Sequence, residues 1–291
     1  MILIFFGPTG SGKTDVAVSL AHHFNAPIIN ADAFQIYQDM NIGTNKIKKD
    51  DPDYKRHYLL DIKTPNESYS VKEYQDDFRK VYDSLKDKYP TIIVSGGTGL
   101  YIRAALFDYK FLDEEVSSHD YSSYSNEELY KMLQEQDYEA SKKIHVNNRK
   151  RIIRALDLIA NNGVKKSELI ASQEHKVIYP DVEFLFLNPD RETLYDAINK
   201  RVDKMVDEGL VDEVKNLLNK YQLSTTARQA IGYKEIIDYL EGETSLEEAI
   251  ELIKKRTRNY AKRQVTFFKN QFNSRVFSSK SQLLKEFLKN E

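Results

Sequence analysis

One eight-residue stretch near the amino terminus constrains the fold more than any other part of the sequence. Residues 7–14 read GPTGSGKT and match the pattern G-x-x-x-x-G-K-[ST] at every fixed position. The apolar run 2–6 precedes the stretch, and a helix-like segment over 14–24 follows it. A buried strand, a glycine-rich turn and a helix in this order are typical of a phosphate-binding loop. The stretch therefore predicts a phosphate ligand, but it does not distinguish a nucleotide from another diphosphate.

The residues of this loop would divide the work of binding a diphosphate. Glycines let the backbone amides turn inward, and the following helix adds a partial positive charge at its N-terminus. Lys13 would contact the terminal phosphates, and the Thr14 hydroxyl would be a ligand of Mg²⁺. The predicted phosphate-binding residues are Gly7, Pro8, Thr9, Gly10, Ser11, Gly12, Lys13 and Thr14.

The order of apolar runs along the chain predicts a parallel sheet covered by helices. Further buried strands are expected at 27–30, 91–94 and 182–187, with a helix over about 71–88. Residues 112–175 are polar and predict a helical insertion, whereas the chain from 191 to 290 is predicted to be almost wholly helical. We therefore predict the α/β class, with a P-loop NTPase-like core formed by 1–111 and 176–291 and a helical C-terminal part.

The composition excludes several other classes of protein. The 291 residues include no cysteine, which rules out disulfides, thiolate metal sites and cysteine nucleophiles. No stretch approaches the ~20 apolar residues of a membrane helix, and the apolar start is too short for a signal sequence, so we expect a cytoplasmic protein.

The net charge of −2 does not favour binding to nucleic acid. Basic residues nevertheless cluster within 142–154 and 254–269, where they suit RNA phosphates or, more commonly, form solvated helix faces.

The residues after the third predicted strand argue against an ordinary nucleotide hydrolase. Such enzymes hold Mg²⁺ with a second carboxylate at a strand end. Here Ser95, Gly96 and Gly97 follow the strand, and the candidate acid is instead Asp32, which comes after the strand at 27–30. Asp32 would be either a metal ligand or a general base that faces an acceptor.

Five blocks, in order along the chain, resemble the signature of tRNA dimethylallyltransferases. They are DAFQIYQDMNIGT at 32–44, GGTGLY at 96–101, IHVNNRKRIIRAL at 144–156, AIGYKE at 230–235 and YAKRQ at 260–264. The likeness extends from the first strand to about residue 269. Ala33 and Lys150 stand where the family usually has serine and glutamine, which affects two of the implied tRNA contacts.

The resemblance implies the transfer of a dimethylallyl group from its diphosphate to tRNA. The acceptor in this family is the exocyclic amine of the adenosine 3′ of the anticodon. The resemblance implies Asp32 as general base, with Lys13, Thr98 and Arg201 acting on the leaving diphosphate. The implied tRNA contacts are Asp32, Ala33, Phe34, Gln35, Thr98, Lys150, Arg151, Ile152, Ile153 and Arg154. Mg²⁺ would be the cofactor, the anticodon stem-loop of tRNA and dimethylallyl diphosphate would be the partners, no membrane would be involved, and the protein would be a monomer.

Three other functions are compatible with the phosphate loop. A small-molecule or nucleoside kinase shares the loop and the α/β core, but would consume ATP. An isopentenyltransferase acting on free adenine nucleotides would share the chemistry, although a small acceptor needs no basic insertion. A tRNA-binding module without activity would be expected to have lost Lys13, Thr14 or Asp32, and all three are present.

Overall fold

Residues 1–111 and 119–288 are described by the structure, a computed structural model, and they divide into two units. The larger unit comprises 1–105 and the described residues from 179 onward, and the smaller unit is Leu106–Ile178 without 112–118. The first seven residues of the predicted insertion, 112–118, therefore lie outside the described part of the chain. None of the helices in the described ranges is long and apolar enough to cross a lipid bilayer.

The larger unit is built on a six-stranded sheet in which each pair of neighbouring strands is parallel. The strands are β1 (Ile2–Phe6), β2 (Ile28–Asn30), β3 (His57–Tyr58), β4 (Ile92–Gly96), β5 (Val182–Leu187) and β6 (Arg275–Phe277), in the spatial order β3-β2-β4-β1-β5-β6. β1 and β2 are buried along their whole length, as expected of interior parallel strands. The predicted α/β class with a parallel sheet is confirmed.

The first helices of the larger unit begin in two different ways. They are α1 (Lys13–His23), α2 (Val71–Leu85) and α3 (Gly99–Leu106), and a 3-10 helix (Pro52–Arg56) precedes β3. The Ser70 side chain and Glu73 form a capping box at the start of α2, which satisfies the first backbone amides. α1 instead starts after Gly12 without a side-chain cap. Its first amides can therefore bind an anion.

The smaller unit contains four helices around a separate apolar core. They are α4 (Asn126–Gln136), α5 (Tyr138–Ser141), α6 (Arg149–Asn162) and α7 (Lys166–Ala171). Leu129 and Leu133 of α4 pack with Ile152 and Leu156 of α6. The helical period turns the side chain of Ile152 into this core, where it is fully buried, and its contact with tRNA stays a prediction. Ile153 is half-buried and packs against the same core.

The remaining helices belong to the larger unit. They are α8 (Arg191–Asp207), α9 (Leu210–Lys220), α10 (Thr225–Arg228), α11 (Tyr233–Leu240), α12 (Leu246–Gln271) and α13 (Lys280–Phe287). The prediction of an almost wholly helical segment after 191 is wrong at β6, which pairs with β5 at one edge of the sheet. This strand has only three residues, two of them exposed, so it carries no recognisable apolar run.

Aromatic side chains fix the long helix α12 against the sheet. The ring of Phe6 on β1 lies 4.7 Å from that of Phe268 and 5.1 Å from that of Phe272, measured between centroids. Phe186 on β5 also contacts Phe268, at 5.6 Å. Large buried rings of this kind contribute much of the apolar burial in a core. The packing brings the middle of α12 next to the loop that follows β1.

Candidate active site

The loop between β1 and α1 has the conformation that its glycines allow. Gly10 and Gly12 both have a φ of +82°, in the left-handed region that favours glycine. The hydroxyl of Ser11 is buried and has no hydrogen-bond partner among the residues that the structure describes. A buried polar atom without a partner is costly unless a ligand satisfies it. The loop is therefore suited to take up oxygen atoms from a bound anion.

A small cavity of about 50 Å³ lies at the mouth of this loop. Its lining is mostly polar, and consists of Thr9, Lys13, Thr14, Ile28, Asn30, Asp32, Gln35, Thr44, Asn45, His57, Ser95, Gly96 and Arg201. Residues from the carboxyl ends of β1, β2 and β4 meet here, at the sheet edge where parallel α/β proteins bind ligands. The structure thus brings together Lys13, Thr14, Asp32 and Arg201, which the sequence placed up to about 190 residues apart.

Two cations and one carboxylate determine the electrostatics of this cavity. Arg201 donates from Nη1 to the Thr9 hydroxyl at 2.8 Å, which fixes its guanidinium against the loop. Burial lowers the pKa of Lys13 to about 8; Asp32 opposes the shift and Arg201 adds to it. Burial also lowers the pKa of Arg201, but a guanidinium stays charged in proteins. An incoming anion would favour the charged forms of these two partly buried cations, which only one carboxylate opposes.

Asp32 lies two residues after the end of β2, and the backbone turn that follows holds it. Its Oδ1 accepts hydrogen bonds from the amides of Phe34 at 3.0 Å and Gln35 at 3.4 Å. The Thr98 hydroxyl accepts the amide hydrogen of Ala33 at 3.0 Å, and the Thr98 amide donates to Ala31. Thr98 therefore supports the segment that carries Asp32. Its predicted contact with the diphosphate stays a prediction.

A glutamine without an assigned role in the sequence connects the phosphate loop to the second glycine-rich turn. Gln264 on α12 is 5% exposed. Its Oε1 accepts the Thr9 amide hydrogen at 2.9 Å, and its Nε2 donates to the Gly97 carbonyl at 2.8 Å. Gln264 lies in the last of the five blocks that resemble the family. In the sequence, the feature that indicates a special role for this residue is a glutamine within an otherwise basic stretch.

We expect Gln264→Leu to destabilise the larger unit by roughly 2–6 kcal/mol, because one buried and one partly buried backbone group lose their partners at about 1–3 kcal/mol each. Urea denaturation would measure the change in the free energy of unfolding. Gln134→Leu on the exposed face of α4 is the matched control and should have little effect. Equal stability of the two variants would contradict a bridging role for Gln264.

A larger apolar cavity of about 260 Å³ adjoins the phosphate cavity. The two share Thr9, Asp32, Thr44 and Arg201 in their linings. The apolar part is formed by Phe34, Val202, Met205, Ala230, Ile231 and Ile253, and Tyr233, Tyr260 and Gln264 complete the wall. Burial, together with Asp32, raises the pKa of the Tyr260 hydroxyl to about 12, so this group stays protonated. The site therefore has a charged half and an apolar half that meet at Asp32 and Arg201.

The residues around Asp32 take different positions in the structure. Phe34 lines the apolar cavity, whereas Gln35 lines the phosphate cavity. The side-chain amide nitrogen of Gln35 donates to the carbonyls of Thr44 at 3.1 Å and Asn45 at 3.4 Å, so these carbonyls engage its hydrogens. Its predicted contact with an adenine edge stays a prediction, and it would use the carbonyl oxygen of this amide or require a change of partners.

Both basic stretches contain cations that are engaged within the protein and cations that are exposed. In the smaller unit, Lys150, Arg151 and Arg154 are exposed on α6. In α12, three members of the second stretch are engaged within the protein: Lys254 pairs with Asp203 at 2.7 Å, Arg256 pairs with Glu235 at 2.6 Å, and Arg258 donates to Asn199 at 2.6 Å. Its exposed members are Lys255, Lys262, Arg263 and Lys269.

A glycine-rich loop that joins a buried central strand to an uncapped helix, with cations at its mouth, defines the class of P-loop phosphate-binding α/β proteins. The chain is of this class. A family model described as IPP transferase matches residues 35–271, and the chain belongs to this family. The resemblance seen in the five sequence blocks is thereby confirmed.

Three known proteins illustrate the likeness. A tRNA dimethylallyltransferase of Bacillus anthracis is 44% identical over 276 residues, which cover 92% of this chain and 88% of the relative. A crystal structure of a tRNA delta(2)-isopentenylpyrophosphate transferase from Staphylococcus epidermidis has a TM-score of 0.70 at 35% identity, covering 99% of this chain and 97% of that one. A structure of a eukaryotic dimethylallyltransferase acting on tRNA has a TM-score of 0.82 at 27% identity, covering 98% and 75%.

Proposed function

We propose that the protein transfers a dimethylallyl group from dimethylallyl diphosphate to the exocyclic amine of the adenosine 3′ of the anticodon in tRNA. The observation that carries this proposal is the junction of the two cavities. A polar pocket for a diphosphate and an apolar pocket of about 260 Å³ share Asp32 and Arg201 in their linings. An allylic diphosphate has the same division, with a charged end and an apolar end. We also propose that the protein acts as a monomer in the cytoplasm, where tRNA is modified.

The charged end of the donor would bind at the loop. Hydrogen-bond donors for it are the amides at the start of α1, the hydroxyl of Ser11 and the cationic side chains of Lys13 and Arg201. Preorganised donors of this kind stabilise the charge that develops on a leaving diphosphate. The prenyl end would extend into the apolar cavity, where Val202, Met205 and Ile253 supply the contacts.

Mg²⁺ fits the oxygen atoms that line the phosphate cavity. Thr14, Asp32, Asn30 and Ser95 all line it, and each of these residues has a side-chain oxygen. Mg²⁺ prefers such ligands, and usually binds through one or two carboxylates together with substrate phosphates and water. Thr14 would hold the ion, which when bound would neutralise charge on the leaving diphosphate.

Asp32 would take the proton that the acceptor loses. The amine nitrogen forms a bond to the first carbon of the prenyl group, the bond from that carbon to the diphosphate oxygen breaks, and the diphosphate leaves with the electron pair. The amine proton passes to the Asp32 carboxylate. Its Oδ1 is fixed by two backbone amides, so Oδ2 is the oxygen free to act as base.

The adenosine must leave its stack to reach this junction, as bases do in other enzymes that modify them. Phe34 lines the apolar cavity two residues after Asp32, where it would contact the extruded base. The exposed cations of α6, Lys150, Arg151 and Arg154, would contact phosphates of the anticodon stem-loop. Such contacts set the affinity and its dependence on salt.

We expect Arg151→Ala to weaken tRNA binding and to lower the slope of log affinity against log salt concentration by about one, because one phosphate contact is lost. Filter binding at several salt concentrations would measure both quantities. Lys131→Ala, on the exposed surface of α4, serves as the control. An unchanged slope for Arg151→Ala would indicate that α6 presents only a solvated face.

The direct test is to incubate the protein with dimethylallyl diphosphate, Mg²⁺ and unmodified tRNA, and then to weigh the nucleosides after digestion. We expect a prenylated adenosine that depends on both substrates. Parallel reactions with ATP and a small acceptor test for a kinase, and reactions with free adenosine monophosphate test for a nucleotide prenyltransferase. Product in either parallel reaction, without modified tRNA, would overturn the proposal.

A further inference from the structure

One carboxylate that lines neither the phosphate cavity nor the apolar cavity accepts four hydrogen bonds from the chain around it. Oε2 of Glu213, on α9, accepts the amide hydrogens of Asn41 at 3.0 Å and Ile42 at 2.8 Å. Oε1 accepts the amide hydrogen of Gly43 at 3.1 Å and the hydroxyl hydrogen of Tyr233 at 2.7 Å. A carboxylate that accepts several such bonds holds its donors strongly, because each bond is charge-assisted.

The segment held by Glu213 forms part of the wall of both cavities. Gly43 and Thr44 line the apolar cavity, and Thr44 and Asn45 line the phosphate cavity. The Thr44 carbonyl also accepts a hydrogen bond from Gln35. We name residues 41–45 the wall loop. Its position therefore determines the shape of the junction at which the proposed transfer takes place.

The wall loop is fixed on two sides besides the carboxylate. Lys46, directly after it, is buried and pairs with Asp61 at 2.6 Å. A Cβ atom at Gly43 would lie 2.5 Å from the ring of Tyr233, so a larger residue would displace either the loop or the ring. The same ring is oriented by its hydroxyl bond to Glu213 and lines the apolar cavity. Glu213 thus controls two adjoining parts of the cavity wall.

We propose that Glu213 is a positioning residue for prenyl transfer, which holds the wall loop and the Tyr233 ring where the prenyl group and the acceptor must meet. The role of Glu213 in the reaction rests on the proposed function, whereas its contacts do not. A carboxylate has two oxygens, and together they accept all four hydrogens. A glutamine at this position would replace one of these oxygens with an NH₂ group, whose hydrogens would face groups that also donate hydrogens. Displacements of about 1 Å at such a site reduce rates by about 10²-fold.

The test compares Glu213→Gln with Glu208→Gln, a partly exposed carboxylate five residues earlier that pairs with Lys204 at 3.7 Å. Hydrogen exchange of the peptide that covers 41–43 reports the wall loop directly. Single-turnover transfer at saturating substrates reports the reaction, and calorimetric binding of inorganic diphosphate reports the phosphate loop. For Glu213→Gln we expect faster exchange at 41–43 and a transfer rate at least about tenfold lower, with diphosphate affinity within about twofold of that of the wild type. The control should match the wild type in all three.

The readouts separate the possible failures. Unchanged exchange at 41–43 would overturn the anchoring contact, and faster exchange with an unchanged rate would overturn the positioning role. A parallel loss of diphosphate affinity and melting temperature would also overturn it, since general destabilisation would then explain the rate.

If Glu213→Gln does not fold, the Tyr233→Phe variant removes a single hydrogen-bond donor to Glu213. We then expect a two- to fivefold lower rate of transfer, and a wild-type rate would refute the positioning role. Absence of transfer by the wild type would refute the proposed function, while exchange would still decide the contact.

Discussion

Asp32→Asn is expected to lower the single-turnover rate of prenyl transfer by about 10³-fold, because general-base catalysis contributes about 10²–10⁴-fold. Asparagine keeps the Oδ1 acceptor that holds the amides of Phe34 and Gln35. The turn after β2 should therefore persist while the group loses its capacity to accept a proton. Rapid quenching with radiolabelled dimethylallyl diphosphate and excess enzyme would measure the chemical step.

The control for this variant is Asp39→Asn, which makes the same change seven residues later. Asp39 has a φ of 62°, which asparagine tolerates, and it accepts hydrogen bonds from Lys220 and Tyr221 away from both cavities. Its transfer rate should stay within about twofold of the wild-type rate, because a partly exposed pair contributes little. Binding of tRNA by Asp32→Asn should also be unchanged. A rate within tenfold of the wild type would exclude Asp32 as the base.

Lys13→Met is expected to reduce the rate of transfer by about 10²–10³-fold, because the removal of one preorganised hydrogen-bond donor has an effect of this size in other enzymes. The methionine side chain has a similar volume, so the loop should keep its shape while a partly buried cation is lost. Calorimetry with inorganic diphosphate should show weaker binding in parallel. Lys280→Met is a matched control, because this lysine lies beside Gly12 but pairs with Asp15 on the exposed side of α1. Wild-type diphosphate affinity in Lys13→Met would refute the phosphate assignment.

The lowered pKa of Lys13 adds a pH dependence to this prediction. Since burial brings its pKa to about 8, the ammonium form is present below that pH and is lost as the pH rises through it. A bound anion favours the protonated form, so lysine-dependent affinity should fall about tenfold between pH 7 and 9. Lys13→Arg stays charged over this range and corrects for ionisation of the ligand itself. Identical pH profiles for the two proteins would contradict the assignment.

Local patterns in the sequence were sufficient to predict the phosphate loop and the class of sheet. Strands such as β1 and β5 are short apolar runs next to turns, and this signal is contained in neighbouring residues. β6 is too short and too exposed to produce such a signal, because its hydrogen bonds to β5 alone define it. The family resemblance covers whole blocks without regard to their helical phase, so it implies Ile152 as a tRNA contact although the side chain of this residue faces a core.

The parts of the site that were missed depend on contacts between distant residues. Gln264 reaches the amide of Thr9 across 255 positions of the chain, and no periodicity encodes that approach. Val202, Met205 and Ile253 line a cavity, yet in the sequence they are indistinguishable from apolar residues of a helix core. Glu213 looks like any charged residue on an amphipathic helix until its three backbone donors are located.

The position of β1 between β4 and β5 has a consequence for biosynthesis. β4 ends at Gly96, but β5 begins only at Val182, after the smaller unit has been made. At about 5–20 residues per second the ribosome takes roughly 4–17 s to cover this interval. During that time the entirely apolar strand Ile2–Phe6 has one bare edge, the kind of template on which nascent chains associate. Chaperones should therefore capture chains stalled between these two strands more strongly than chains stalled after β5 has emerged.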